Sequence, residues 1–302
     1  MIRIDRILCP VDFSDVSRHA LAYAAAFARW YESKVTLLHV YSAPVPPVAV
    51  SQYPGNIPLL PPIQPDEVRA QVRQFCEPLS IAGVSPAIVV EEGEPAKVIT
   101  RMASDAAPDL LIMGTHGRGG FQRLLLGSVT EKVLRLVACP VLTVPPPAAT
   151  SGTPSFKTIL CPVDFGPSAI RALEYAFSLA KEADARLILL HVVESLADTV
   201  IAGEPVGFSI ADVQQSLQRE ATERLTALIP ADARSWCRPE VRVTSGKAQR
   251  EVLRVAKENQ AELIVMGVQG RGAVDLLLFG STTHHVIRDA ALPVFTLRTT
   301  AE

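Results

Sequence analysis

The sequence predicts an α/β fold written twice in tandem, each copy a doubly wound layer of parallel strands with helices on both faces. Three observations lead there. The segment ILCPVDF stands at residues 7–13 and again at 159–165, and further matching pairs follow in the same order. Apolar runs rich in Val, Ile and Leu alternate with amphipathic stretches through each half. Those runs are near-continuous rather than alternating, which suits strands buried on both faces of a parallel sheet.

The repeat sets the organisation. LLHV occurs at 37–40 and 189–192, and PVLTV at 140–144 is answered by PVFTL at 293–297. The offset is 159 − 7 = 152 residues early and 293 − 140 = 153 late, so the order of elements is kept across a whole half. The 302 residues therefore divide into a first domain, 1–146, a linker, 147–155, and a second domain, 156–302. The linker lies in PPPAATSGTPS, whose Pro, Gly, Ser and Thr content marks a segment between packed units. A formal net charge of −2 argues against a nucleic-acid binder. No apolar run approaches the length of a transmembrane helix. The first residues, MIRIDRILCPVD, place charges inside the only apolar stretch there and do not read as a secretory leader. Five cysteines, with no CxxC pair, make no disulfide framework, and a cytoplasmic protein is expected.

In chain order, the first half offers RILCP, KVTLLHV, PAIVVEE, DLLIMG and PVLTV as strands. The second answers with TILCP, ARLILLHV, EVRVTSG, ELIVMG and PVFTL. After the first strand of each half, Leu21, Ala24, Ala25 and Ala28, then Leu173, Ala176, Phe177 and Ala180, recur at helical spacing. The small alanines would let each helix lie close to its sheet. The last strands end their domains as short edges, and an unpaired edge invites a partner.

In open α/β sheets ligands bind beyond the carboxyl ends of the strands. Asp12 and Asp164 close the first strand, Val40 and Val192 the second, Gly114 and Gly267 the fourth. The fourth strand runs into MGTHGRGGFQRLLLGS, 113–128, matched by MGVQGRGAVDLLLFGS, 266–281. Both keep the spacing G-x2-G-x9-G-S: Gly114, Gly117, Gly127 and Ser128, then Gly267, Gly270, Gly280 and Ser281. The first glycines can take positive φ or allow close approach to an anion. Gly127-Ser128 and Gly280-Ser281 open a helix whose free N–H groups and dipole favour phosphate. The spacing is neither GxxxxGK[ST] nor GxGxxG at a helix start. The alternative is that the glycines only make a strand-to-helix turn. Asp12 and Asp164 could meet a ribose hydroxyl or Mg2+, or serve as helix N-terminal carboxylates. Arg118 and Arg271 could pair with phosphate or be solvated loop charges.

The combination of this spacing with PVD after the first strand and HGRxG in the loop resembles the universal stress protein family, over essentially the whole chain. The resemblance implies five-stranded parallel sheets in the order 3-2-1-4-5 and an ATP-binding member with one site per domain. It implies a candidate set of Pro10, Val11, Asp12, Val40, Met113, Gly114, Gly117, Arg118, Gly127, Ser128 and Val129 in the first half. The second-half set is Pro162, Val163, Asp164, Val192, Met266, Gly267, Gly270, Arg271, Gly280, Ser281 and Thr282. By this resemblance Asp12 sits near the nucleoside, Val40 backbone groups read the adenine edge, and the glycines and Ser128 hold ribose and phosphates. ATP, ADP or AMP is the expected ligand, with Mg2+ held by its phosphates and by Asp12 or Asp164. Single-domain relatives commonly dimerise through the last strand. Here the two domains are expected to pair as an internal pseudo-dimer that brings Leu142 near Phe295, with a homodimer of whole chains and an unknown protein partner left open. The copies differ: Gln269 stands for His116, and VTEKVLR becomes TTHHVIR.

Other groups read as structural. His39 and His191, at the second strand's end in both copies, suit satisfied buried histidines. Cys9 and Cys161 suit small fillers. His284 and His285 are adjacent and do not share a helix face, so they make no metal pair. The Pro-rich stretch 43–65 is a lid, a docking segment or a surface loop. Three classes of function compete: a nucleotide-dependent switch, an ATP-using enzyme, and a nucleotide-free interaction module. No Walker lysine and no nucleophile with a placed base is legible, so no catalytic residue is expected.

Overall fold

A computed structural model of the chain describes residues 2–42, 64–117, 126–147, 154, 156–194, 210–268 and 280–298. The first half runs β1 (Arg6–Val11), α1 (Asp15–Tyr31), β2 (Lys34–Tyr41), α2 (Pro65–Phe75), α3 (Glu77–Ile81), β3 (Ala87–Glu92), α4 (Pro95–Ala106), β4 (Leu110–Gly114), α5 (Ser128–Leu136) and β5 (Val141–Val144). The second runs β6 (Thr158–Pro162), α6 (Pro167–Glu182), β7 (Arg186–Val193), α7 (Ile210–Ala227), β8 (Arg238–Ser245), α8 (Ala248–Glu258), β9 (Leu263–Val268), α9 (Ser281–Asp289) and β10 (Val294–Arg298).

Ten strands form one sheet in the order β3-β2-β1-β4-β5-β10-β9-β6-β7-β8. Each half thus has the order 3-2-1-4-5, with parallel pairing throughout. The halves meet at β5 and β10, which pair antiparallel with Phe295 opposite Leu142. The two short edges thereby satisfy each other, and the internal pairing expected of them is what the chain forms. Threonine hydroxyls reinforce the seam: Thr143 Oγ1 donates to Val294 O at 3.1 Å and Thr296 Oγ1 to Val141 O at 3.2 Å. Both threonines are buried.

Helices cover both faces. On one, α1 and α6 carry the expected apolar stripes, and Leu21, Ala24, Ala25, Ala28, Leu173, Ala176, Phe177 and Ala180 are all buried. Phe27 of α1 and Tyr175 of α6 pack on Phe295, with ring centroids 6.3 and 5.7 Å away, so the aromatic core runs across the seam. On the other face, α4, α5, α8 and α9 bury Val98, Ile99, Val133, Val252, Val255 and Val286 against Leu111, Met113, Ile264 and Met266. Strand ends differ from expectation by one residue in places. β2 runs to Tyr41, β7 to Val193 and β9 to Val268, because their ladder bonds continue that far.

Candidate functional site

The site is built where β1, β2 and β4 end. β1 gives way to Asp12 and then Phe13, which takes φ 64°; Phe165 does the same in the second half at φ 62°. Each ring lies against a histidine, Phe13 on His39 at 4.4 Å and Phe165 on His191 at 4.6 Å. Each histidine Nδ1 meets a backbone oxygen at the end of the first strand of its half, Val11 O at 2.8 Å in β1 and Val163 O at 2.7 Å just past β6. Both histidines are hydrogen-bonded as their positions suggested, but only His39 is buried, and His191 is half-buried. They anchor a tight turn that swings the chain from strand into helix.

Asp12 stabilises that turn. Its Oδ1 accepts from Ser14 N at 3.0 Å and Ser14 Oγ at 2.6 Å. Ser14 in turn caps α1, accepting from Ser17 N at 3.1 Å. Asp164 Oδ1 accepts from Gly166 N at 2.9 Å, and Gly166 is the cap of α6. Both carboxylates thus hold the residue that caps the helix, rather than capping it themselves. The other oxygen of Asp12, Oδ2, faces the glycine loop: a Cβ on Gly117 would stand 2.6 Å from it.

The glycines are required by proximity, and the positive φ expected of them is not found. Gly114, Gly117, Gly127, Gly267 and Gly280 all lie outside the left-handed region. A Cβ on Gly114 would come within 2.7 Å of Val16 Cγ1, and one on Gly127 within 3.0 Å of Thr115 O. On Gly267 it would stand 2.3 Å from the Ser168 carbonyl carbon, inside the backbone of α6. Gly280 meets only Thr283 Oγ1, at 4.0 Å, among the described residues, so neither reason is seen there. Gly127 and Gly280 are the caps of α5 and α9, and neither helix has a side-chain cap. Among the described residues no side chain takes their first N–H groups, which suits water or a ligand. Gly127 N donates to Thr115 O at 2.8 Å and Thr130 Oγ1 to Gly114 O at 2.8 Å, which ties the start of α5 to the end of β4.

Between these segments lies a cavity of about 440 Å³. Pro10, Val11, Asp12, Val40, Met113, Gly114, Gly117, Gly127, Ser128 and Val129 line it, which is every expected first-half residue except Arg118. Arg118, Gly270 and Arg271 lie outside the described residues, as do 43–63 of the Pro-rich stretch. Ser17, Leu38, Pro95, Ile99, His116, Leu126 and Thr130 complete the lining. Of these, Pro95 and Ile99 come from α4, which the motif does not reach; the Gly-Glu-Pro at its start was the available signal. His116 Nδ1 meets Thr115 Oγ1 at 2.9 Å, while its buried Nε2 has no partner among the described residues. The lining combines an apolar wall, an uncapped helix start and an unused imidazole nitrogen, a donor set suited to a flat apolar group joined to an anion.

Pro162, Val163, Asp164, Val192, Met266, Gly267, Gly280, Ser281 and Thr282 occupy the matching places at the ends of β6, β7 and β9 and the start of α9. Burial pushes the Cys9 thiol up to about 12 and the Cys161 thiol higher still, so both stay protonated as packing groups. At the outer edge of the first cavity, Glu94 precedes Pro95. Lys132 and Lys97, at 2.9 and 3.0 Å, hold its carboxyl below the usual range.

A sequence model of the universal stress protein family matches residues 3–145 and 155–298. A universal stress protein of Mycobacterium tuberculosis is 27% identical over 303 residues, covering 97% of this chain and 96% of that protein. Universal stress protein YxiE of Bacillus subtilis is 33% identical over 148 residues, 46% of this chain and 98% of that protein. The crystal structure of a universal stress protein from Archaeoglobus fulgidus superposes with a TM-score of 0.67 at 24% identity, over 98% of this chain and 97% of that one.

Proposed function

The chain belongs to the universal stress protein family, as two tandem domains, and from that premise we propose that it is an adenine-nucleotide-binding switch, with one site in each half. The observation that carries this reading is the first-half cavity, where an apolar wall leads to the uncapped start of α5. Adenine would lie among Leu38, Val40, Ile99 and Met113, with its polar edge toward the backbone at Val40. The phosphates would take the N–H groups at Ser128 and Val129, whose helix dipole favours negative charge. The unpartnered Nε2 of His116 offers a further bond. Asp12 faces the ribose side, and Mg2+ would bridge it to the phosphates. Arg118 and Arg271 would add phosphate contacts. The domains are taken as 1–146 and 156–302, joined by 147–155.

ATP, ADP and AMP are the ligand class, and occupancy would bias contacts with a protein partner in the cytoplasm. Turnover would fall below the roughly 1–10³ s⁻¹ typical of enzymes. No helix among the described residues is long and apolar enough to cross a membrane. Mass spectrometry of small molecules released from freshly purified protein tests the reading. Adenine nucleotide near two equivalents per chain supports it. Ligand-free protein that takes up none of the three nucleotides rejects it in favour of an interaction module. Fast, Mg2+-dependent hydrolysis would move the chain to the enzymes.

A further inference from the structure

We propose that the two sites differ in the charge they accept: the second half, through Lys247 and Arg250 at its rim, selects the more highly phosphorylated ligand, and the first half does not. The nucleotide reading supplies the identity of the ligand; the charge preference itself rests on the rim.

The two rims can be matched residue by residue from their backbones. Gly93 and Gly246 both take positive φ, 148° and 141°, and donate to Tyr41 O at 2.9 Å and Val193 O at 3.1 Å. The next residues, Glu94 and Lys247, cap α4 and α8 with φ/ψ of −78°/120° and −78°/119°. Gly127 and Gly280 cap α5 and α9, so Glu131 corresponds to His284 and Lys132 to His285.

In the first half Glu94 bridges Lys132 at 2.9 Å and Lys97 at 3.0 Å, and Glu131 holds Arg135 at 2.5 Å. This lattice stands beside Pro95 and one turn along from Ser128, both of which line the cavity, and Arg135 has its counterpart in Arg288. In the second half the positions of Glu94, Lys97, Glu131 and Lys132 read Lys247, Arg250, His284 and His285. Glu, Lys, Glu and Lys sum to zero, whereas Lys and Arg with neutral histidines sum to +2. The nearby carboxylates are already engaged, Glu251 with Arg254 at 2.5 Å and Asp289 with Arg288 at 2.7 Å. Among the described residues neither Lys247 nor Arg250 is in an ion pair. The excess positive charge adds to the positive end of α9. Each phosphate added to a ligand there meets about two more positive charges than in the first half. At solvent-screened separations of several ångströms this is worth roughly a three- to tenfold gain in affinity per phosphate.

The test uses full-length protein with EDTA present. Calorimetry of AMP, ADP and ATP is run on Val40→Trp, which fills the first cavity, and on Val192→Trp, the matching position in the second half. The surface changes Lys247→Glu and Glu94→Lys are made in wild type, with inorganic tripolyphosphate as a probe that carries no base. The expected result is a rise from AMP to ATP that is about threefold or more steeper per phosphate at the second site. Lys247→Glu flattens that rise and weakens tripolyphosphate binding, and Glu94→Lys steepens the rise at the first site. Equal rises at both sites, or rises unmoved by either charge change, overturn the inference while leaving nucleotide binding intact. If no nucleotide binds but tripolyphosphate binds in a Lys247-dependent way, the nucleotide reading fails and this inference stands. If tripolyphosphate is also ignored, both fail.

Discussion

Gly114 and Gly267 hold the same place in the repeat, yet replacing each with alanine should have unequal consequences. At Gly114 the added Cβ would lie 2.7 Å from Val16 Cγ1, on a half-buried side chain, and 3.2 Å from His116 O, which needs a shift of only a few tenths of an ångström. A change of rotamer relieves that contact at a cost of about 1 kcal/mol. Reduced freedom of the unfolded chain returns about 0.4–1 kcal/mol, because the position does not need positive φ. Gly114→Ala should therefore cost no more than about 1 kcal/mol. At Gly267 the Cβ would meet backbone: the Ser168 carbonyl carbon at 2.3 Å, its oxygen at 2.4 Å and Ala169 N at 2.6 Å. No rotamer relieves this. The start of α6 must move off β9 and loosen the packing of buried Ala169, Ala172 and Leu173. Overpacking of that kind costs typically 1–3 kcal/mol and occasionally more, so about 3 kcal/mol is expected. Urea unfolding followed by fluorescence decides it, since Trp30 reports the first half and Trp236 the second. A Gly267→Ala variant as stable as Gly114→Ala would refute the packing argument.

At the seam, Phe295→Ala removes a fully buried ring and should cost about 3–5 kcal/mol, with Trp30 and Trp236 transitions still coincident; separated transitions would show that the sheet is not one cooperative unit. Ser128→Ala should weaken first-site ATP binding by about 1.5–3 kcal/mol if the hydroxyl meets a charged oxygen, and an unchanged calorimetric affinity would remove Ser128 from the site. For Cys9 the folded thiol sits at about 12 against an ordinary 9.0. An acid raised on folding contributes stability fully below the lower value, and that contribution is lost as pH rises from about 9 through 12. Alkylation at pH 8 should accordingly spare Cys9 in native protein and modify it in urea, and rapid native labelling would contradict its burial.

Much of this fold was legible because the chain states it twice. Runs such as TILCP and LIVMG could be read as buried parallel strands, and the repeated ends PVLTV and PVFTL pointed to the β5–β10 seam. The motif located nearly all of the first cavity's polar side. What it misread were reasons rather than places. Gly114 and Gly267 need room for Val16 and α6, not a left-handed backbone, and closeness across the fold leaves no local trace. Asp12 has a further duty that the motif does not show, holding the turn through Ser14, a partner two residues away that only the bend brings into range. Pro95 and Ile99 were missed because helical spacing marks an apolar face without naming the cavity that face closes. The Glu94-to-Lys247 reversal was present in the sequence. It gained meaning only when the two caps proved to share one backbone geometry.

The central claim is tested most directly by titrating ATP into ligand-free wild type and into Val40→Trp, with folding of both checked by circular dichroism. Val40 sits in the apolar wall of the first cavity, where an indole would take the space assigned to adenine. The account predicts two sites per wild-type chain and one in the variant. Undiminished stoichiometry in Val40→Trp, or no heat with wild type, would contradict it.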